Sequence, residues 1–169
     1  MSRLPLSRPL IVATVPPQGE TIEIVADEAE RAALAAENEV ESIERLVARL
    51  DVRPTGRDGL SVRGRVEALT TRICVVTLDP FIEAVDEEVE VRFAPETESA
   101  ARDAIEDGAD DAPDPIVAGV VDLGAVVAEF FTLGLDPHPR KPGATFDDAG
   151  ENRAAASPFA ALRDLKRDE

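Results

Sequence analysis

The sequence predicts an α+β protein built on a bent antiparallel sheet, open or partly closed into a barrel, of about five to six strands with two to three helices. Three observations carry that expectation. Residues 46–53 and 60–68 alternate apolar and polar side chains with period 2 on either side of a Pro/Gly-rich stretch. Residues 82–93 return with the same alternation in their second half. A later segment, from Leu123, repeats its apolar residues at helical spacing instead.

Taken in order, residues 8–15 (RPLIVATV) read as a short buried strand closed by Pro16 and Pro17. Thr21, Ile22, Glu23 and Ile24 alternate, as a half-exposed strand does. Asp27 and Glu30, three residues apart, have the form of a capping box, and the alanine-rich run behind them predicts a helix over residues 28–37 ending near Asn38. The hairpin follows. Leu46, Ala48, Leu50 and Val52 alternate with Arg45, Val47, Arg49, Asp51 and Arg53; PTGRDG at 54–59 is a turn by composition. Leu60, Val62, Gly64, Val66 and Ala68 then alternate with Ser61, Arg63, Arg65 and Glu67. Pairing Arg53 with Ser61 sets Val52 opposite Val62, Leu50 opposite Gly64, Ala48 opposite Val66 and Leu46 opposite Ala68. A slip of one residue would bury arginines, so the register is determined. The strand runs on to Cys74, and the chain turns around Leu78, Asp79 and Pro80 before 82–93 returns.

Pattern is lost over residues 94–115, where eight acids face one base, Arg102. So little apolar surface predicts a flexible, disordered acidic insertion near 95–115. Residues 116–119 (IVAG) read as a short strand, and Asp122 as the N-cap of a helix. Its apolar face is Leu123, Val126, Val127, Phe130 and Leu133, widened by Phe131, with Gly134 near the stop. Three prolines within DPHPRKP (136–142) exclude a further helix. The expected organisation is one domain over residues 1–146, then a mobile segment and a short C-terminal helix over 147–169, restarted by Ser157-Pro158.

Composition narrows function. No apolar run approaches the ~20 residues of a membrane-spanning helix. The six residues LIVATV before two prolines are too short for a secretory core. A single cysteine makes no internal disulfide, which points to the cytoplasm. With no Trp or Tyr and six Phe, few rings are available to stack unpaired bases. Net charge is −17, so nucleic acid is repelled at long range unless the bases are segregated on one face. The hairpin offers such a segregation: its polar side sets Arg49 beside Arg65 and Asp51 beside Arg63, with Arg53 at the end. That stripe is either a solvated face of Arg–Asp pairs or a contact for RNA phosphate or an acidic protein surface. Arg140 and Lys141, held between Pro139 and Pro142, form a second candidate, because flanking prolines lower the entropy lost on binding.

Catalytic chemistry finds no foothold. Cys74 lies among Ile73, Val75 and Val76 and reads as a buried side chain, while the single His138 sits far along the chain. Asp110-Asp111 lacks the spacing of a calcium loop. There is no Gly-rich phosphate loop and no G-x-S-x-G. The expectation is a protein that is not an enzyme, with no cofactor and no metal.

Three blocks carry a family resemblance: GRVEALTTRICVVTLDPF at 64–81, IVAGVVDLGAVVAEFFTLGLDPHPRKPGA at 116–144, and SPFAALRDLK at 157–166. Together, in this order and with an acidic insertion between the first two, they resemble the YceD family of large ribosomal RNA subunit accumulation proteins. The resemblance implies a role in processing or accumulation of large-subunit (23S) ribosomal RNA. The implied partners are the large-subunit RNA precursor or ribosomal proteins, with no DNA and no membrane. It also implies a departure. Many relatives carry C-x-x-C at this hairpin, suited to a metal knuckle or a redox pair, whereas here Thr77 stands at the second position and Cys74 is left alone. The resemblance carries over no catalytic residue. Three readings stay open: a non-catalytic assembly factor using Arg49, Arg53, Arg63, Arg65, Arg140 and Lys141, a carboxylate/Mg²⁺ RNA-processing hydrolase, and a protein-only adaptor for basic ribosomal proteins.

Overall fold

Hydrophobic register sets the sheet. In the computed structural model, which describes residues 4–56, 58–95 and 113–145, β3 (Ser42–Thr55) and β4 (Gly59–Ile73) pair antiparallel, with Val52 opposite Val62, Leu50 opposite Gly64, Ala48 opposite Val66 and Leu46 opposite Ala68. The pairing expected from the arginine pattern is the one found. It extends further into the turn than composition suggested, through Pro54–Leu60 to Thr55–Gly59. A register shift between Ile43 and Arg45 inserts a bulge, which kinks a strand locally.

Around this hairpin the main sheet adds β2 (Glu20–Val25) on one side, with β5 (Pro80–Pro95) and β6 (Asp114–Ile116) on the other, in the order β2-β3-β4-β5-β6. Two expectations are corrected here. The sheet is mixed, because β6 runs parallel to β5, from Phe93–Asp114 to Pro95–Ile116. It is also open, since β2 and β6 end the order without pairing to one another, so it is not a barrel. Ala94, Pro95, Asp114 and Pro115 therefore belong to strands, although their sequence looked patternless. Prolines hide a strand signal but are tolerated at an edge.

The other short segments also differ in detail. Residues 8–15 contribute only β1 (Pro9–Ile11) before a 3-10 turn, and β1 pairs with β7 (Val120–Asp122) as a separate two-stranded ribbon. The strand expected at 116–119 is split: Ile116 closes β6, while Ala118 and Gly119 turn with positive φ into β7. The rest of the acidic insertion, the segment after residue 145 and the expected C-terminal helix lie outside the described residues.

Among the described residues two helices cover the inner face of the sheet. α1 (Glu28–Glu37) starts on the expected capping box, with Asp27 and Glu30 each accepting from the other's backbone N–H. α2 (Leu123–Leu133) is capped by Asp122, which accepts from the N–H groups of Gly124 and Ala125. Its buried stripe is Leu123, Val127 and Phe131, with Gly124 and Val126, and Phe131 is fully buried. Leu133 is 70% exposed and leaves the expected face, because an i, i+4 row from Leu123 passes through Phe131 instead. The helix stops at Gly134, where a Cβ would approach Glu87 Cγ to 2.4 Å and Val85 Cγ1 to 2.7 Å. One core joins Leu34, Leu46, Leu50, Leu60, Val62, Val66 and Val89 to Phe131.

Candidate functional site

The polar side of the hairpin lies on the outer face of the sheet, so the arginines point away from the core as the alternation requires. Their neighbours change the meaning of that face. Arg49 reaches Glu23 of β2 at 3.2 Å, Arg63 reaches Glu90 of β5 at 2.6 Å, and Arg65 reaches Asp86 of β5 at 2.9 Å. Asp51 accepts from the hydroxyl of Thr21. All six ion-pair side chains are more than half exposed, and exposed pairs of this kind contribute about 0.2–1 kcal/mol each. Along the outer positions Arg45, Arg49, Arg53, Arg63, Arg65 and Arg92 interleave with Glu23, Asp51, Glu67, Asp86, Glu88 and Glu90. The outer face is a mixed-charge lattice and not a basic stripe. Reading one hairpin alone missed the acids supplied by the flanking strands. The alternation of Glu88 and Glu90 with Val89 and Val91 was the signal that could have found them.

The second candidate lies elsewhere. Arg140 and Lys141 sit beside the β4–β5 turn, where the Val75 N–H donates to the Pro139 carbonyl at 2.9 Å and Lys141 Nζ lies 3.6 Å from Asp79. Arg63 is ten residues up β4 from Ile73 in a continuous strand, roughly 33 Å at about 3.3 Å per residue. The six candidate residues therefore form two groups at different ends of the sheet.

A buried ion pair that the sequence did not announce places the dibasic segment. Arg72 Nη1 donates to Glu83 of the facing strand at 3.1 Å, and Nη2 donates to the Asp136 carbonyl at 2.7 Å. Both side chains are at most one-fifth exposed. Arg72 thus clamps the proline-rich segment onto the hairpin. Nothing in TTRIC marks this arginine as inward-facing, since its inner-face neighbours on the strand are Thr70 and Cys74 rather than aliphatics.

Cys74 is fully buried, as expected, but not in the aliphatic core. Ile73 and Val75 beside it are partly exposed. The turn is closed by the Cys74 N–H donating to the Asp79 carbonyl and the Leu78 N–H to the Cys74 carbonyl, both at 2.9 Å, with Leu78 at φ 61°. The thiol faces donors: the Thr77 hydroxyl above all, then the N–H groups of Thr77, Lys141 and Val76. Together they outweigh burial and lower its pKa from 9.0 to about 7. A metal knuckle of the kind implied by C-x-x-C in relatives does not fit here, because a cation needs electron-pair donors where this pocket presents N–H and O–H groups. His138 is brought close by the docking of Pro139, contrary to its distance in sequence. Yet it is exposed, and its backbone N–H donates to Asp136. Among the described residues no group of three His, Cys, Asp or Glu side chains gathers.

Asp122 has the densest polar surroundings of the described carboxylates. It accepts from the Ser7 hydroxyl and the Arg8 N–H, both at 2.6 Å, besides its two helix donors. Burial pushes its pKa up, and the hydrogen bonds outweigh that and hold it below its ordinary value. This network ties the N-terminal segment to α2. No helix among the described residues is long and apolar enough to cross a membrane. The chain has no match among the curated proteins compared, nor among the solved structures. Residues 62–166, well over half of the chain, match the family described as large ribosomal RNA subunit accumulation protein YceD, and they contain the turn, the clamp and α2. On that match, the chain belongs to the YceD family.

Proposed function

We propose that the protein is a non-catalytic ribosome-assembly factor that supports accumulation or processing of large-subunit (23S) ribosomal RNA in the cytoplasm. Membership in the YceD family carries the ribosomal assignment. The electrostatics carry the mode of action. A net charge of −17 and an outer face on which Arg49, Arg63 and Arg65 already hold carboxylates favour basic ribosomal proteins as the direct partner over RNA phosphate. Direct RNA contact is confined in this reading to Arg140 and Lys141, because Arg140 is exposed and the Lys141–Asp79 pair is long and half-exposed.

The non-catalytic part of the proposal draws on the surroundings of Cys74 and His138. The thiol is enclosed by hydrogen-bond donors, no base adjoins it among the described residues, and the imidazole is exposed to solvent. Affinity purification of the full chain from growing cells tests the assignment: large-subunit precursors with their ribosomal proteins should co-purify, and depletion should lower mature large-subunit RNA. Incubating the purified chain with precursor RNA and Mg²⁺ should give no new cleavage products. Cleavage abolished by a carboxylate substitution would replace this reading with a hydrolase.

A further inference from the structure

Strand β5 is the longest of the sheet, and most of one edge has no neighbouring strand among the described residues. β4 pairs with it from Pro80 to Phe93, whereas β6 meets only Phe93, Ala94 and Pro95. Over residues 81–91 no backbone group of the other edge is hydrogen-bonded to a described residue. That leaves a ladder of alternating N–H and C=O groups roughly 36 Å long at about 3.3 Å per residue. Proteins usually blunt such an edge with a proline, a bulge, charged side chains or a covering element. Here the pairing with β4 has no register shift and residues 81–91 contain no proline. The side chains of residues 81–91 carry charge of one sign only; Glu83, Asp86 and Glu90 are held by Arg72, Arg65 and Arg63 of β4, which leaves Glu87 and Glu88.

That charge selects the occupant. A second copy adding antiparallel at the same edge would set carboxylates opposite carboxylates, which is unfavourable. A lysine- or arginine-bearing strand meets the opposite situation. Glu88 is exposed on the outer side, and neither it nor Glu87 has an ion-pair partner among the described residues. On the inner side, at the Val91 end of the edge, a groove of about 400 Å³ opens between β5, β6, β7 and α2, walled by Val91, Phe93, Asp114, Val121, Val126 and Glu129. An alternating strand thus finds Glu88 on the outer side and, at the Val91 end, apolar surface on the inner side.

We propose that the edge of β5 over residues 81–91 takes an extended, basic polypeptide segment of a partner protein as an added strand. Main-chain hydrogen bonds supply the pairing, and Glu88 with the groove supplies the selection. That the partner is a ribosomal protein rests on the function proposed above; the strand addition does not.

The test uses the purified full chain and a ten-residue peptide alternating lysine and valine, with binding followed by fluorescence anisotropy and amide hydrogen exchange. The peptide should bind, and amides within residues 81–91 should gain protection. Glu88→Lys should weaken binding roughly fivefold, and the same peptide N-methylated at alternate residues should not bind. Equal binding of the methylated peptide, or protection gained only elsewhere, would overturn strand addition. So would a free chain that is dimeric with these amides already protected, which would make a second copy the occupant. Each result is independent of whether ribosomal precursors co-purify from cells.

Discussion

Asp122 joins three parts of the chain with one carboxylate: the N-terminus of α2, the Ser7 hydroxyl and the Arg8 backbone. Replacing it with alanine removes the cap and leaves partly buried donors unsatisfied, so Asp122→Ala should destabilise the protein by about 2–3 kcal/mol in urea unfolding. A loss below about 0.5 kcal/mol would show that water replaces the carboxylate. Cys74 allows a sharper test because its sign is fixed. Its folded pKa, about 7, lies below the ordinary 9.0, so the native state prefers the thiolate. Below about pH 7 the thiol is protonated in both states and contributes nothing through ionisation. From pH 7 to 9 the contribution grows, and above 9 it is complete. The Tm advantage of the wild type over Cys74→Ser should therefore widen as pH rises from 7 to 9; a constant or narrowing gap would mean the donors do not hold a thiolate.

Between elements, legibility followed how strongly burial constrains each side chain. The β3–β4 register could be read from the sequence because a one-residue slip would put Arg49 and Arg65 where Leu50 and Val66 now sit. The capping box of α1 and the Asp122 cap were legible because they are local. β6 was not, since a three-residue parallel strand containing a proline has no period, and Leu133 was misplaced because two candidate faces of α2 overlap. Gly64 shows a contact that no pattern reveals. A Cβ there would lie 2.0 Å from the Arg49 carbonyl and 2.9 Å from Leu50 Cα, both backbone atoms that cannot turn aside. Strand propensity alone predicts that Gly64→Ala stabilises. The contact reverses that sign, and thermal unfolding should show a loss of about 2 kcal/mol or more. Arg63→Ala, which breaks only an exposed pair, should change stability by at most about 1 kcal/mol. A large loss there would mean the outer lattice acts as a network.

For the whole molecule, charge decides between the two candidate partners, RNA phosphate and a basic ribosomal protein. The candidate residues legible in sequence were those of a basic stripe, but the stripe depended on ignoring the acids that only the assembled sheet brings beside it. With those acids in place the outer face adds little attraction for phosphate, and the chain as a whole, at −17, repels it. Filter binding of the purified protein to naked large-subunit precursor RNA should accordingly be weaker than micromolar at physiological salt. Reversing Arg49, Arg63 and Arg65 to Glu should leave it unchanged, and Arg140→Glu with Lys141→Glu should remove what little there is. Co-sedimentation with precursor particles that carry ribosomal proteins should persist in the outer-face variant. Tight RNA binding that falls steeply with salt and disappears when the three sheet arginines are reversed would mean that RNA phosphate displaces Glu23, Asp86 and Glu90 from their partners, and the chain would then have to be understood as an RNA-binding protein.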